Sequence, residues 1–510
     1  MSKQLFKSTS VVAFMTFLSR ILGLLRETVF ASFFGASAEM DAFLIAFRIP
    51  NFMRRLFAEG CFSQAFIPVL SEVKSASDFH DMKRFIQNVT GTLGIIVLLV
   101  SIFGMVTAEG WTAVFAPGYW HEPLKFELAT HLLRIMFPFI FFITITGLVG
   151  SILNVFGKFA IPAVTPVILN VCMIVAALGL SHYFKYGVEA AAWGVSFAGL
   201  VQLLFLLPYL HRIGLLAMPK WGWRHPGVQK IIKLMMPALF GASIAQISLL
   251  LDTIFASFLK TGSVSWLYYS DRVMQFPLGI LGVALSTVVL PHLSRQHALK
   301  DFTEYNRALD WALRLVVILA LPSALALAML AGPILVTLFQ YGKFTMYDVQ
   351  MTEYSLWAFS FGLLFFIAVK IAVAAYYARQ DMRTPVKIGI IAVSVNMILN
   401  AILIWPMAHA GLALATGIGS AVNTSLLLWG LYKQKIYVPR PGWGKVWLAA
   451  IVANMVMGAI LYCMQDSLVM WHNWHALIRA MHLLVLIVVG SATYFTVLWV
   501  CGIRKHDLIL

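Results

Sequence analysis

Residues 41–70 read DAFLIAFRIPNFMRRLFAEGCFSQAFIPVL. The stretch is too apolar for a soluble loop and too charged to face lipid. Read as a membrane-spanning helix, it sets Asp41, Arg48 and Arg55 on one face, because residues seven apart drift by only about 20°. Glu59, one turn past Arg55, extends the stripe, and Arg54 adds a further cation. A charge at bilayer depth costs roughly 2.5–3.5 kcal/mol on insertion scales. Several on one helix are tolerable where they line a watery chamber enclosed by protein, and a surplus of cations suits that chamber to an anion. The bland alternative is internal pairing with Asp41 and Glu59, which leaves three cations facing two anions. Pro50 sits among them and predicts a kink.

The rest of the chain has the same character. Of 510 residues, 61% are hydrophobic and 11% charged, against about 25% charged in soluble domains. The composition predicts an all-α polytopic membrane protein. Apolar runs long enough to span recur from end to end, and about fourteen transmembrane helices are expected. Their centres fall near residues 17, 52, 97, 143, 170, 200, 245, 278, 318, 363, 393, 422, 454 and 489. The spans near 52 and 278 are the most polar and the easiest for a hydropathy scan to miss.

A net charge of +16 would fit nucleic-acid binding, but its distribution excludes that partner. Alternate connections on the side of the amino terminus collect most of the basic residues, among them Lys74, Lys83, Arg84, Lys158, Arg212, Lys220, Arg224, Lys230 and Lys233. The opposite side holds only Lys125, Lys185, Lys260, Lys343 and Arg479. That asymmetry predicts a multi-pass protein with both termini cytoplasmic. Arg20 and Arg26 interrupt the apolar core that a cleaved signal peptide would need, so the first span is expected to be retained. Cys61, Cys172, Cys463 and Cys501 show no metal or redox spacing and read as free thiols. No metal site and no cofactor is expected.

The chain also repeats itself. TVFASFFGASAEMDAFLIAFRIP from Thr28 resembles TIFASFLKTGSVSWLYYSDRVMQFP from Thr253. Arg48 meets Arg272, Pro68 meets Pro291, Pro162 meets Pro385 and Gly187 meets Gly411, all at offsets of 223 or 224. Six spans per unit return the chain to its starting side, so the expectation is two parallel six-helix repeat lobes plus two extra C-terminal helices. The lobes cover 1–215 and 216–437, and the additional pair covers 438–510. Two lobes meeting at a pseudo-twofold seam suit a chamber that opens first to one side and then to the other.

Guanidinium forks bind phosphate oxygens bidentately and stay charged when partly desolvated. Arg20, Arg26, Arg48, Arg54, Arg55 and Arg272 are therefore the candidate substrate-binding residues, for a phosphate or diphosphate cargo. Asp41, Glu59 and Asp271 are the candidate cavity acids or gating residues. For Arg26 the alternative is snorkelling to the outer interface. Tyr268 and Gln275 flank Arg272 on its own helix face, offering either sugar hydrogen bonds or packing. Asp252 reads equally as a cation site or an internal partner, while Arg314 and Lys370 fit either snorkelling or pairing between helices. No catalytic residue is expected: the chain has no GxxxxGK[ST] and no HExxH, and the GK pairs at Gly157 and Gly342 run into Phe.

With these residues in view, the sequence resembles the MurJ (MviN) family of lipid II flippases, within the multidrug/oligosaccharidyl-lipid/polysaccharide exporter superfamily. The resemblance is carried by SRILGLLRE, the 41–72 stretch, ISLLLDTIFASFL, SVSWLYYSDRVMQFPLGILGVALSTVVLP, LFQYGKFT and YYARQDMRTPVKI. It implies a transporter, not an enzyme, that moves the undecaprenyl-diphosphate disaccharide-pentapeptide of peptidoglycan biosynthesis to the outer leaflet of the bacterial inner membrane by alternating access. It also implies that 438–510 forms a groove for the lipid tail, and that lipid II, membrane lipids and the cell-wall synthesis and division machinery are the partners. A flippase for another polyprenyl-diphosphate oligosaccharide and a cation-coupled drug exporter are the alternatives. A drug exporter would want an acidic, aromatic cavity, which the arginine surplus opposes.

Overall fold

Inside a bilayer every backbone donor and acceptor needs a partner, and a helix supplies one within its own segment. The computed structural model describes residues 3–54, 61–216 and 218–503, and all regular structure among them is helical. Arg55 and Glu59 lie outside the described residues. Of the cysteines, Cys172, Cys463 and Cys501 are free thiols.

By packing, the chain forms two units, Met1–Gly262 and Ser263–Leu510. The first holds α1 (Lys3–Phe34), α2 (Ala38–Arg54), α3 (Cys61–Ala76), α4 (Phe79–Val106), α5 (Ala108–Phe115), α6 (Pro123–Val155), α7 (Thr165–Leu180), α8 (Val188–Arg212) and α9 (Pro226–Ser257). The second holds α10 (Ser263–Pro277), α11 (Val283–Ala298), α12 (Phe302–Met329), α13 (Ala331–Phe339), α14 (Met346–Tyr377), α15 (Arg383–Lys433), α16 (Trp443–Met464), α17 (Leu468–Asn473) and α18 (Ala476–Val500). A π-helical segment, Leu278–Gly282, joins α10 to α11.

Ten helices among the described residues are long and apolar enough to cross a membrane. The expected spans beyond these ten fall on α1, on α2 with α3, on α9 and on the second half of α15. For three of these the sequence shows why. Arg20, Arg26 and Glu27 crowd α1, and α2 is only 17 residues long. The 51-residue α15 is two helices meeting at Ala408, whose φ of 48° and ψ of −129° break the helical geometry. Pro50 stays inside α2, which runs on for one more turn to Arg54.

Each unit is built around one deeply buried helix. In the first it is α6, packed by α2, α4 and α8; in the second it is α14, packed by α10, α12 and α15. The two central helices start 223 residues apart, as do α4 and α12, and α5 and α13. Close approach relies on small residues, as membrane helix pairs require. A Cβ on Gly362 of α14 would lie 2.8 Å from the Gly417 Cα of α15. Helix α9 joins the first unit because Val228 and Ile231 pack into a core with Phe62, Phe66, Val69 and Leu70 of α3. Large apolar side chains such as Leu99, Phe103, Val488 and Trp499 remain exposed, as a lipid-facing surface demands.

The link between α15 and α16 is tied to α12 by Asn306, which exchanges two hydrogen bonds with the Val438 backbone at 3.0 and 2.8 Å, and by a buried carboxylate. Asp310, 2% exposed, accepts hydrogen bonds from the Tyr437 hydroxyl at 3.0 Å, Trp443 Nε1 at 2.7 Å and Arg440 N at 3.2 Å. Arg314 Nε lies 2.7 Å from its other oxygen, and Arg314 Nη2 donates to the carbonyls of Arg440 and Pro441 at 3.1 and 2.9 Å. Arg314 thus pairs with an acid one turn away on its own helix and with carbonyls of the link, not with a second helix.

Candidate functional site

On α1 the two arginines have different surroundings. Arg20 is exposed. Arg26 is 8% exposed and paired with Glu27, and its Nη1 donates to Asn170 Oδ1 of α7 at 3.0 Å. Asn170 completes the tie by donating Nδ2 to the Ser19 carbonyl at 3.0 Å. A charge with a counter-ion and a side-chain acceptor is affordable in a dry helix interface. Arg26 is thus anchored between α1 and α7, not reaching for an interface. Glu27 and Asn170 were not singled out by sequence reasoning. The signals were there: an acid directly beside Arg26, and one amide in the apolar run TPVILNVCMIV.

At the start of α2, Asp41 is 1% exposed, and its carboxylate accepts a 2.6 Å hydrogen bond from the Gly262 N–H in the turn after α9. Gly262 has a φ of 95°, open chiefly to glycine. A second contact reaches the same region: Gly118 N donates to Ser257 Oγ at 3.1 Å, so close that a Cβ on Gly118 would lie 2.2 Å from the Ser257 carbonyl oxygen. Beside Gly118, Tyr119 has its hydroxyl pKa pushed well above the ordinary value by burial and by the charges of Asp41 and Glu122. Lys125 pairs with Glu122 at 2.9 Å and lies over the Tyr119 ring.

One face of α2 carries Arg48, two turns from Asp41. Arg48 is half-buried, and its Nη1 approaches the Leu249 carbonyl of α9 at 3.5 Å. Arg54, also half-buried, is gripped by Asn51, with Nη2 to Oδ1 at 2.8 Å and Nε at 3.2 Å. Asp252 is buried at 8% exposure on the last turns of α9. The first unit therefore gathers Arg20, Arg26, Asp41, Arg48 and Arg54 on two sequence-adjacent helices.

In the second unit, Arg272 lies over the Tyr268 ring at 4.6 Å from its centroid, and Gln275 Nε2 donates to Asp271 Oδ2 at 2.5 Å. Tyr268 is buried beneath the guanidinium, so packing takes precedence over any sugar contact. Asp271 and Arg272 face different neighbours, as adjacent helical residues must. Beyond them, α12, α16 and α18 enclose an apolar groove of about 780 Å³ lined by Leu319, Met457, Leu461, Leu486 and Tyr494. The Tyr494 hydroxyl is satisfied by the Ile318 carbonyl at 2.8 Å, leaving its ring to the groove. Among the described residues no group of three His, Cys, Asp or Glu is placed to hold a metal.

A family profile described as "Lipid II flippase MurJ" matches residues 30–484. Among curated relatives, a probable lipid II flippase MurJ of Vibrio cholerae is 46% identical, covering 99% of this chain and 98% of the relative. The lipid II flippase MurJ of Burkholderia cenocepacia is 40% identical over 98% of both chains. Among solved structures, a lipid II flippase MurJ in an inward closed conformation superposes with a TM-score of 0.79 at 30% identity, covering 95% of this chain and 98% of that one. An inward-facing multidrug resistance transporter of the MATE family shares the fold, with a TM-score of 0.68 at 15% identity over 82% of this chain and 94% of that one.

Proposed function

We infer the mechanism from one premise: the chain belongs to the lipid II flippase MurJ family, so it is a lipid II transporter and not an enzyme. It acts in the bacterial inner membrane with about fourteen crossings and both termini cytoplasmic, an orientation supported by the positive-inside asymmetry of its connections. The two six-helix lobes, 1–215 and 216–437, alternate in access, and 438–510 supplies the tail groove. The observation that carries this reading is the set of guanidiniums held within otherwise apolar helices, on α1, on α2 and at its repeat equivalent on α10.

The diphosphate of the headgroup is taken by Arg20, Arg48, Arg54, Arg55 and Arg272. Arg26 adds its field from a position fixed by Glu27 and Asn170. Arg272 is pre-oriented by the Tyr268 face, which lowers the entropy lost when it closes on phosphate. Asp41, Glu59 and Asp271 act as gating or ordering acids, and Asp41 does so through the Gly262 N–H. The polyprenyl tail stays in the groove beside Tyr494 and Leu486 while the headgroup moves. A potential negative inside favours outward movement of the anion by roughly 2.3 kcal/mol per charge per 100 mV. The cell-wall synthesis and division machinery is the expected protein partner.

Depletion tests the reading. Cells losing the protein must stop exposing lipid II headgroups on the outer leaflet; continued exposure rejects it. Arg48→Glu and Arg272→Glu should each abolish exposure with normal membrane insertion, whereas full activity in both would remove the arginines from the mechanism. Tyr268→Phe, which keeps the ring under Arg272, should retain activity that Tyr268→Leu loses.

A further inference from the structure

Residues 220–222, ahead of α9, are strapped onto α4. Lys220 N donates to the Gln87 carbonyl at 3.0 Å, and Gly222 N donates to Thr92 Oγ1 at 3.0 Å. Two glycines permit the contact: a Cβ on Gly91 would lie 2.2 Å from the Lys220 carbonyl oxygen, and one on Gly222 would lie 2.5 Å from Asn88 Cβ. The strap's backbone is therefore fixed, yet its side chains are not tucked away. Trp221 and Trp223 stack at 6.3 Å with planes 11° apart and remain 56% and 43% exposed. Lys220 and Arg224 are exposed among them. Lys230 is engaged by Glu72 at 2.5 Å and adds nothing to that surplus.

Thr92 also stands at one end of an apolar groove of about 630 Å³, running past Val89, Leu93, Ile96 and Val100 of α4 and Val228 and Ile231 of α9. Among the described residues its lining is apolar except for Thr92, whose hydroxyl oxygen is engaged by the Gly222 N–H. Indoles with interspersed cations are the side chains that settle at a membrane–water interface. A slot for hydrocarbon that ends at such an interface has the two-part chemistry of a membrane lipid.

We propose that the strap and groove form a site for an anionic phospholipid. One acyl chain lies along α4 between Val89 and Val100, the glycerol region sits beside the paired indoles, and the phosphate-bearing headgroup meets Lys220 and Arg224. The leaflet follows from the positive-inside orientation proposed above, because basic residues and anionic lipid meet on the cytoplasmic side. Binding itself depends neither on that orientation nor on the arginines assigned to lipid II, so failure of this site and failure of the transport reading are separable.

The full-length protein in detergent micelles is titrated with phosphatidylglycerol and with phosphatidylcholine of identical chains, and bound lipid is counted by native mass spectrometry. Phosphatidylglycerol should bind about tenfold more tightly. Combined Lys220→Gln and Arg224→Gln, both at exposed positions, should erase that preference while lipid II binding stays unchanged. Val100→Trp, which fills the groove, should weaken both phospholipids at an unchanged melting temperature. Equal binding of the two lipids to the unaltered protein, or a preference that survives the double substitution, overturns the proposal.

Discussion

The Asp41 carboxylate accepts a 2.6 Å hydrogen bond from the Gly262 N–H, joining the first turn of α2 to the turn after α9 across 221 residues of sequence. A buried carboxylate held by a backbone donor is a charge-assisted bond, roughly twice as strong as its neutral counterpart. Asp41→Asn keeps the shape and loses the charge, so lipid II exposure on the outer leaflet should fall several-fold at normal protein abundance. Asp41→Ala should abolish it. Gly262→Ala should phenocopy the weaker variant, because an L side chain at a φ of 95° is strained by roughly 1–2 kcal/mol. Unaltered exposure in Asp41→Ala cells would detach this contact from transport.

Arg26 and Glu27 make a different kind of prediction, since their pair is buried and shared with Asn170. Removing one partner leaves the other charged and unpaired, at a cost of roughly 3–5 kcal/mol. Glu27→Ala should therefore lower the melting temperature of the purified protein markedly. The isosteric Glu27→Gln should lower it less, because the amide oxygen still accepts from Arg26. Arg26→Met combined with Glu27→Met should be less destabilised than Glu27→Ala, although it removes more charge. A cycle in which the two sites contribute independently would contradict the pairing.

The sequence is most legible where physics allows one solution. Apolar runs have to be helices in lipid, and the duplicated landmarks fix which helices correspond, so α4, α6, α12 and α14 sit where their periods place them. Charges inside those runs mark the candidate site for the same reason: only a function or a partner justifies them. Partners are harder to read. Nothing local in the 41–70 stretch reveals that Asp41 would find a backbone N–H after α9, whereas the Asn51–Arg54 contact, three residues apart on one helix, is within reach of a sequence reading. Tyr268 is ambiguous in sequence because one ring both packs a core and supports a guanidinium, and it does both. Long-range pairing is set by how helices cross, which periodicity does not encode.

The turn before α15 provides a pH test outside the membrane. Burial pulls the Asp381 pKa upward, but hydrogen bonds from Thr384 and the Arg383 backbone, with the charge of Arg379, outweigh it and leave the carboxyl below its ordinary value of 3.8. A group depressed on folding contributes stability that is complete above its unfolded pKa and lost as pH falls through the folded one. Amide exchange at Arg383 and Thr384, whose N–H groups donate to Asp381 at 3.1 and 3.0 Å, should stay protected at neutral pH. After correction for intrinsic rates, protection should drop below about pH 4. Asp381→Asn should show weaker protection at neutral pH and no such transition.

Asp310 offers the sharpest test of how the last two long helices are held. Its two oxygens serve Tyr437, the Arg440 N–H, Trp443 and Arg314, so four contacts converge on one buried carboxylate, while Asn306 of α12 holds Val438 separately through two hydrogen bonds. Asp310→Ala strands the Trp443 indole N–H and leaves Arg314 without its counter-ion, each a loss of roughly 1–3 kcal/mol. The loss should be local: the link around residues 434–442 should become sensitive to limited proteolysis while the first unit keeps its protection. Because the apolar groove is lined from α12, α16 and α18, lipid II should also bind more weakly, with the defect scaling with tail length. A short-chain lipid II analogue separates the two effects. If Asp310→Ala weakens both analogues equally, the clasp acts on the headgroup or on overall stability, and the groove is not what it positions.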